Sequence, residues 1–486
     1  LGDKLFNRLN RIAENPPDPK KRKIKEENCM EKKLNIRLPK GDSYGVKLLV
    51  IGLILIIFIP PIAMVRGLIN ERSARKYSAE EEVISSWGGR SKIAGPVLVL
   101  PYQEEIITKN DDGKTERSWI KRNFLVFPEV LDIQVDAPVE ERSRGIYHIP
   151  VFTADIALKG MFVLENALKD LPANTKVDWD GARLGVNLGS LKGLSSVSPL
   201  SWKEREYGFE PGDLPLSVYP SHIVTPVDIK RADSPRGYNF SLDLVQKGGD
   251  SFEFIPLAKE TSISIRSDWS APSFYGDYLP VKREFGEEGF SAVWKISYLS
   301  RDIPSHLVEG VPNTEDLRRT AFGVRLFEPV STYAKNERSV KYAYLFLLVP
   351  FIIFFLFEVI RKMKIHPVQY LLAGAADVVF YLLLLSTSEH LHFFAAYCIA
   401  AFSVTLLLTL YSVQVLGGWK PGLLMGSFLA AGYVYLYVVL QSEDYALLLG
   451  SVGLFMVLAA VMFVTRKVTW YKHPNQQETD SKELTR

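Results

Sequence analysis

The chain has 486 residues, 47% of them hydrophobic, with 58 Lys+Arg against 55 Asp+Glu and a formal net charge of +3. That length predicts two domains or more. Its two cysteines, Cys29 and Cys398, stand in no CxxC or CxxH spacing, which excludes the common zinc motifs and a disulfide framework.

Mean hydropathy is close to neutral, but the apolar residues concentrate near Val46–Ile69 and after Tyr342. Residues 1–46 predict a disordered, basic cytoplasmic arm. It holds Lys20-Lys21-Arg22-Lys23-Ile24-Lys25, then Lys32, Lys33, Arg37 and Lys40. A solvated arm is the simple reading, and contact with anionic lipid the functional one. Leu5, Phe6, Leu9 and Ile12 offer a small apolar stripe for a bilayer surface. A nucleic-acid partner is not expected, because the arm is tethered to a span and lacks interleaved aromatics. The first span is expected over 47–69. Pro60-Pro61 predicts a kink, and no small-residue cleavage pattern follows, so it reads as an uncleaved anchor.

Residues 70–340 predict a β-rich extracytoplasmic (periplasmic) domain of sandwich type. It opens with a helix, Arg72 to Trp87, stopped by Gly88-Gly89. Alternating or β-branched runs follow at Pro96–Tyr102, Asn123–Phe127, Ile146–Phe152, Asp155–Leu164, Ser217–Tyr219, Asn239–Leu244, Ser251–Ile255 and Thr261–Arg266. Trp119, Trp179, Trp202, Trp269 and Trp294 are expected to fill its core.

Five further spans are expected over 341–361, 366–387, 391–415, 421–441 and 445–465, with a tail at 466–486. Six spans place both termini on one side. The arm, Arg361-Lys362-Met363-Lys364, Lys420 and Arg466-Lys467 fall on that side, which the positive-inside rule makes cytoplasmic. Arg66, Arg72, Arg75 and Lys76 are the exception. The opposite side receives two hairpins without Lys or Arg, Ser388-Glu389-His390-Leu391-His392 and Gln441-Ser442-Glu443-Asp444-Tyr445. The fold class is thus a polytopic α-helical membrane protein with a large β-rich domain between spans 1 and 2.

Several stretches resemble the CreD family of bacterial inner-membrane proteins. They include Ser85-Ser86-Trp87-Gly88-Gly89, Gly95-Pro96-Val97-Leu98-Val99-Leu100-Pro101-Tyr102, Gly289-Phe290-Ser291-Ala292-Val293-Trp294 and Arg338-Ser339-Val340-Lys341-Tyr342. The densest run is His366-Pro367-Val368-Gln369-Tyr370-Leu371-Leu372, followed by Ser388-Glu389-His390. The family pattern has Gln where Arg90 stands, Asp where Ser331 stands, and an apolar residue at Asp377. The resemblance implies envelope stability and stress tolerance in the bacterial inner membrane, without a mechanism.

Two groups of residues carry candidate chemistry. Glu389, His390, Glu443 and Asp444 lie at the outer ends of the two hairpins. They could bind a cation, carry protons or dock basic residues; docking is the preferred reading, because the ligand spacing fits no known metal site. If that hairpin is extended, His390 and His392 point to opposite sides. Tyr370, Asp377, Tyr381 and Ser388 share one helix face at offsets of 7, 11 and 18. A transport path is the sharp reading of that stripe; the simpler one is a protonated Asp377 hydrogen-bonded to a tyrosine across helices. Gly374 and Gly426, with Tyr433 and Tyr437, suggest close helix packing. Ser73-Ala74-Arg75-Lys76 matches SxxK, but no KTG or SDN element accompanies it, and there is no P-loop or HExxH motif.

No catalytic residue, metal or cofactor is assigned. The expected protein is non-catalytic and supports envelope integrity, with the lipid bilayer and envelope proteins or cell-wall components as partners. The alternative is a transporter or channel through the last four spans. A hydrolase would have to draw on His148, His222 or His306, which are scattered among loop-like segments.

Overall fold

The computed structural model describes residues 44–109, 115–172, 174–230, 237–301, 303–308, 314–326, 332–361, 363–442 and 445–466. Most of the basic arm and the tail, together with Glu443 and Asp444, lie outside the described residues. Among the described residues, six helical stretches are long and apolar enough to cross a membrane, and a large β-rich region lies between the first and second. The eight helices that matter are α1 (Tyr44–Ile57), α2 (Ile59–Trp87), α3 (Thr332–Lys341), α4 (Ala343–Arg361), α5 (Pro367–Ser388), α6 (Phe393–Val415), α7 (Trp419–Gln441) and α8 (Ala446–Thr465).

The first span and the expected helix at Arg72 are one structure. α1 breaks at Phe58, and α2 then runs unbroken to Trp87. Pro60 and Pro61 fall in the first turn of α2, where a missing N–H breaks no helical bond. The helix stops where the glycines predict: Gly88 and Gly89 both donate to Ile84 O, at 3.1 and 2.7 Å. Gly88 has a positive φ of 151°, and a Cβ there would lie 2.3 Å from Lys247 O. Only glycine fits.

By contact, the chain divides into two compact units. One holds the described residues of Leu1–Met64, Lys341–Tyr381 and Ile399–Arg486; the other holds Val65–Val340 and Leu382–Cys398. The boundary therefore falls inside α2, α5 and α6.

The second unit contains two ten-stranded sheets. In the first, Ser91–Lys109 lies centrally, antiparallel to Thr115–Val126 and Arg183–Leu188 and parallel to Ser251–Ile255. In the second, Tyr147–Phe162, Val130–Asp136, Glu260–Ser267, Gly289–Ile296 and Lys282–Gly286 follow in spatial order. Both sheets contribute to one core. Phe152 stacks on Phe252 at 4.2 Å between ring centres, and Trp294 meets Phe274 and Phe322 at 5.7 and 5.9 Å. Alternation along strands such as Tyr238–Gly249, Glu260–Ser267 and Gly289–Ile296 gives these inward faces.

Two sequence expectations need correction. Ser217–Tyr219 forms no strand, although Val218 and Tyr219 are buried. Side chains take the place of a ladder there: Asn187 Oδ1 accepts from Val218 N–H at 3.1 Å, and Arg318 Nε donates to Val218 O at 2.8 Å. Trp119 does not fill the core. It is 43% exposed beneath the Lys176 ammonium, because its hairpin extends past the sandwich. Trp202 and Trp294 are fully buried, and Trp179 and Trp269 pack at the core's rim.

Trp294→Ala is expected to destabilise the β-rich domain by about 3–5 kcal/mol, and Trp119→Ala by less than about 0.5 kcal/mol. Urea unfolding followed by near-UV circular dichroism separates the two.

Candidate functional site

Within the second unit, α3 carries Tyr333, Asn336 and Ser339, which helical spacing sets on one buried face. That face meets the end of α5. Tyr333 donates to Glu389 Oε1 at 3.0 Å, and Asn336 Nδ2 donates to Ser388 Oγ at 2.9 Å. Arg72 of α2 brings its Nε to 3.8 Å from the same Glu389 oxygen. Burial pushes the Tyr333 phenol well above its ordinary range, and hydrogen bonds with Tyr147 and Glu389 add to the shift. The Glu389 side chain is only 10% exposed, so it works as a held acceptor. A basic, a phenolic and an amide group from two helices thus close on the Ser388-Glu389 corner.

The sequence candidates at that corner separate. His390 and His392 are exposed on a tight helical turn, in which His390 and Leu391 N–H both donate to Thr387 O. The segment is not extended, so the alternation expected of the two histidines does not arise. Among the described residues no group of three or more His, Cys, Asp or Glu side chains is placed to hold a metal ion.

The intramembrane stripe divides among different neighbours. Tyr370, Asp377, Tyr381 and Ser388 are all buried. Tyr370 donates to Glu358 Oε2 at 3.3 Å. Asp377 Oδ1 accepts from Tyr433 of α7 at 3.3 Å, beside the rings of Phe380 and Phe346. Asp377 Oδ2 is buried without a hydrogen-bond partner among the described residues. Close packing accompanies these contacts: a Cβ on Gly374 would lie 2.4 Å from Phe58, and one on Gly426 would lie 2.3 Å from Thr409.

Sequence reasoning missed Glu358. It is 3% exposed in the last turns of α4 and pairs with Lys47 of α1. It also accepts from Ile365 N–H at 3.2 Å and from Tyr370. Three segments therefore converge on one buried carboxylate in the first unit. An acid within Phe355-Leu356-Phe357-Glu358-Val359-Ile360 was the available signal, since a charge in an apolar helix requires a protein partner.

A cavity of ≈ 800 Å³ in the second unit is lined by residues including Lys76, Glu81, Arg90, Asp250, Trp269 and Tyr333. Arg90 donates to Asp250 Oδ2 at 2.7 Å and to Glu81 Oε2 at 2.9 Å. The Asp250 bond raises the Arg90 pKa further, against the opposing effect of burial. This wall is internally neutralised and forms no anion pocket. Nearby, Glu253 accepts from Tyr219 at 3.0 Å and from Tyr275 at 3.4 Å, and pairs with Lys92 at 3.1 Å.

The histidines available to a hydrolase each touch a serine. His148 meets Ser143, His222 meets Ser217, and His306 meets Ser305, each at 3.3 Å. Among the described residues only His306 adds an acid on its other ring nitrogen, Asp170 at 3.2 Å, and that carboxylate is 64% exposed. A solvated acid orients an imidazole poorly, and this cluster carries no catalytic assignment.

A family model described as "Inner membrane protein CreD" matches residues 43–471. Inner membrane protein CreD of Escherichia coli (strain K12) is 33% identical over 437 residues, covering 89% of this chain and 95% of that protein. Among solved structures, a mutant M1 zinc metallopeptidase from Deinococcus radiodurans aligns with 35% of this chain and 38% of its own. Its identity is 10% and its TM-score 0.19, too low to bear on fold or function.

Lys47→Met leaves the Glu358 carboxylate buried and unpaired, which costs about 3–5 kcal/mol. Lys47→Met/Glu358→Gln is expected to regain part of that loss in thermal unfolding of the detergent-solubilised chain. A second expectation concerns Tyr275. Burial pushes its phenol from 10.0 up to about 12, with Glu253 adding to the shift. The folded chain holds that proton more tightly than the unfolded chain. Its contribution is complete below pH 10 and is lost as pH rises towards 12. Tyr275→Phe should flatten this alkaline slope in pH-dependent unfolding.

Proposed function

The chain belongs to the CreD family of inner membrane proteins, and from that premise we propose a non-catalytic role in cell-envelope integrity or stress tolerance. The observation that carries this reading is the polar joint at Glu389. Tyr333 and Arg72, which flank the β-rich domain in sequence, both engage the corner after α5. Such a joint, which ties the helices leading into and out of the β-rich domain to one corner, suits a scaffold or sensor. The even number of spans and the basic residues Lys47, Arg361, Lys364, Lys420 and Arg466 support cytoplasmic termini and a β-rich domain on the periplasmic side.

The transporter or channel reading rests on Asp377. Its neighbours favour a structural role: Tyr370, Asp377 and Ser388 bond to three different segments and not to one another. Asp377→Asn should therefore complement fully. Loss of function in a correctly inserted Asp377→Asn protein would favour transport.

The deciding experiment is detergent and chelator sensitivity of a deletion strain. It would be complemented with the wild-type chain, with a variant lacking residues 75–335, and with Glu389→Ala. Resistance restored fully by the wild type alone is the expected result. Full resistance from the shortened variant would place the activity in the spans and remove the scaffold reading.

A further inference from the structure

The strand Lys282–Gly286 ends the second sheet and pairs with Gly289–Ile296 alone among the described strands. All five of its residues are exposed, so both its faces stand clear of the sandwich. Its ladder runs without a bulge from Lys282↔Val293 to Gly286↔Gly289. In an antiparallel pair, alternate residues turn their N–H and C=O groups to the outer side, which makes a template for another strand.

Large apolar side chains stand exposed on and beside this edge. Leu279 is 64% exposed, Val281 60%, Phe285 63% and Leu299 91%. Tyr278 donates to Ser300 O at 3.0 Å, which brings Leu279 and Leu299 to the same end of the edge. Large apolar side chains exposed on and beside a bare edge mark an interaction surface. The charges decide the partner. A strand guarded only by lysine and arginine repels its own copy, but here Glu284 follows Lys282 and Arg283.

We propose that this strand pairs antiparallel with the same strand of a second copy, about a two-fold axis at Arg283. A two-fold axis perpendicular to the sheet keeps each side chain on its face, so opposed residues must share parity. Centred on Arg283, Lys282 of each copy lies opposite Glu284 of the other, which gives two ion pairs on one face. On the other face, Phe285 of each copy flanks the axis; Val281 is not part of this ladder, since its N–H turns inward to Val293 O at 2.8 Å. Arg283 meets its own copy at the axis, one like-charge contact against two ion pairs. Centring on Lys282 or Glu284 sets like charges on the axis and forms no directly opposed ion pair.

The test uses the full chain with both cysteines replaced by serine. At the axis the two Cα atoms would be about 5.5 Å apart, within disulfide reach. Arg283→Cys should then give a reductant-sensitive dimer, whereas Lys159→Cys, exposed in the middle of the same sheet, should not. Lys282→Glu or Glu284→Lys should each weaken dimerisation about ten-fold, and Lys282→Glu/Glu284→Lys should restore it. Equal cross-linking from Arg283→Cys and Lys159→Cys would overturn the proposal, as would a double swap no tighter than either single variant. A bilayer covering the strand would show differently. The Arg283→Cys chain would be monomeric, and shielded from a membrane-impermeant maleimide only in nanodiscs; that result also overturns it.

Discussion

A carboxylate in an apolar helix finds no donor in lipid, so the chain itself must supply one. Glu358 and Asp377 each meet this constraint with groups from other segments. Glu358 draws Lys47, Tyr370 and the Ile365 N–H around itself. Asp377 takes the hydroxyl of Tyr433. Each acid fixes which helix must stand beside which, in a setting where apolar side chains alone would accept many arrangements. Glycine then sets how closely the helices approach, as at Gly374 and Gly426.

Glu389 applies the same logic at a helix end. Its neighbours come from α2 and α3, the helices that lead into and out of the β-rich domain. Polar groups do this work because they are directional. A phenol, a guanidinium and an amide must be met at defined distances and angles, so the corner after α5 tolerates little displacement. An apolar contact of the same area would stabilise without fixing position.

Much of this architecture was legible in the residues. Six apolar runs, the Gly88-Gly89 stop and the alternating strands each follow from local patterning, whose period is short. The partners were not legible, because they depend on contacts remote in sequence. Lys47 and Glu358 lie in the first and second spans, with the whole β-rich domain between them. The stripe Tyr370, Asp377, Tyr381 and Ser388 was visible as a face, but not that its members bond to different neighbours. Ser217–Tyr219 looked like a strand because its run of residue types is that of one; the Asn187 and Arg318 side chains that replace its ladder come from distant segments. The short edge Lys282–Gly286 went unread because neither of its faces is buried, so it has no alternation to see.

The parallel pairing of Ser91–Lys109 with Ser251–Ile255 bears on biogenesis. The domain's first strand must wait for one made much later, and the sheet is completed only by Phe322–Leu326, just ahead of the second span. Non-local pairings of this sort form slowly. During synthesis, the long hairpin of that first strand therefore stands with one edge unfilled until Ser251–Ile255 is made.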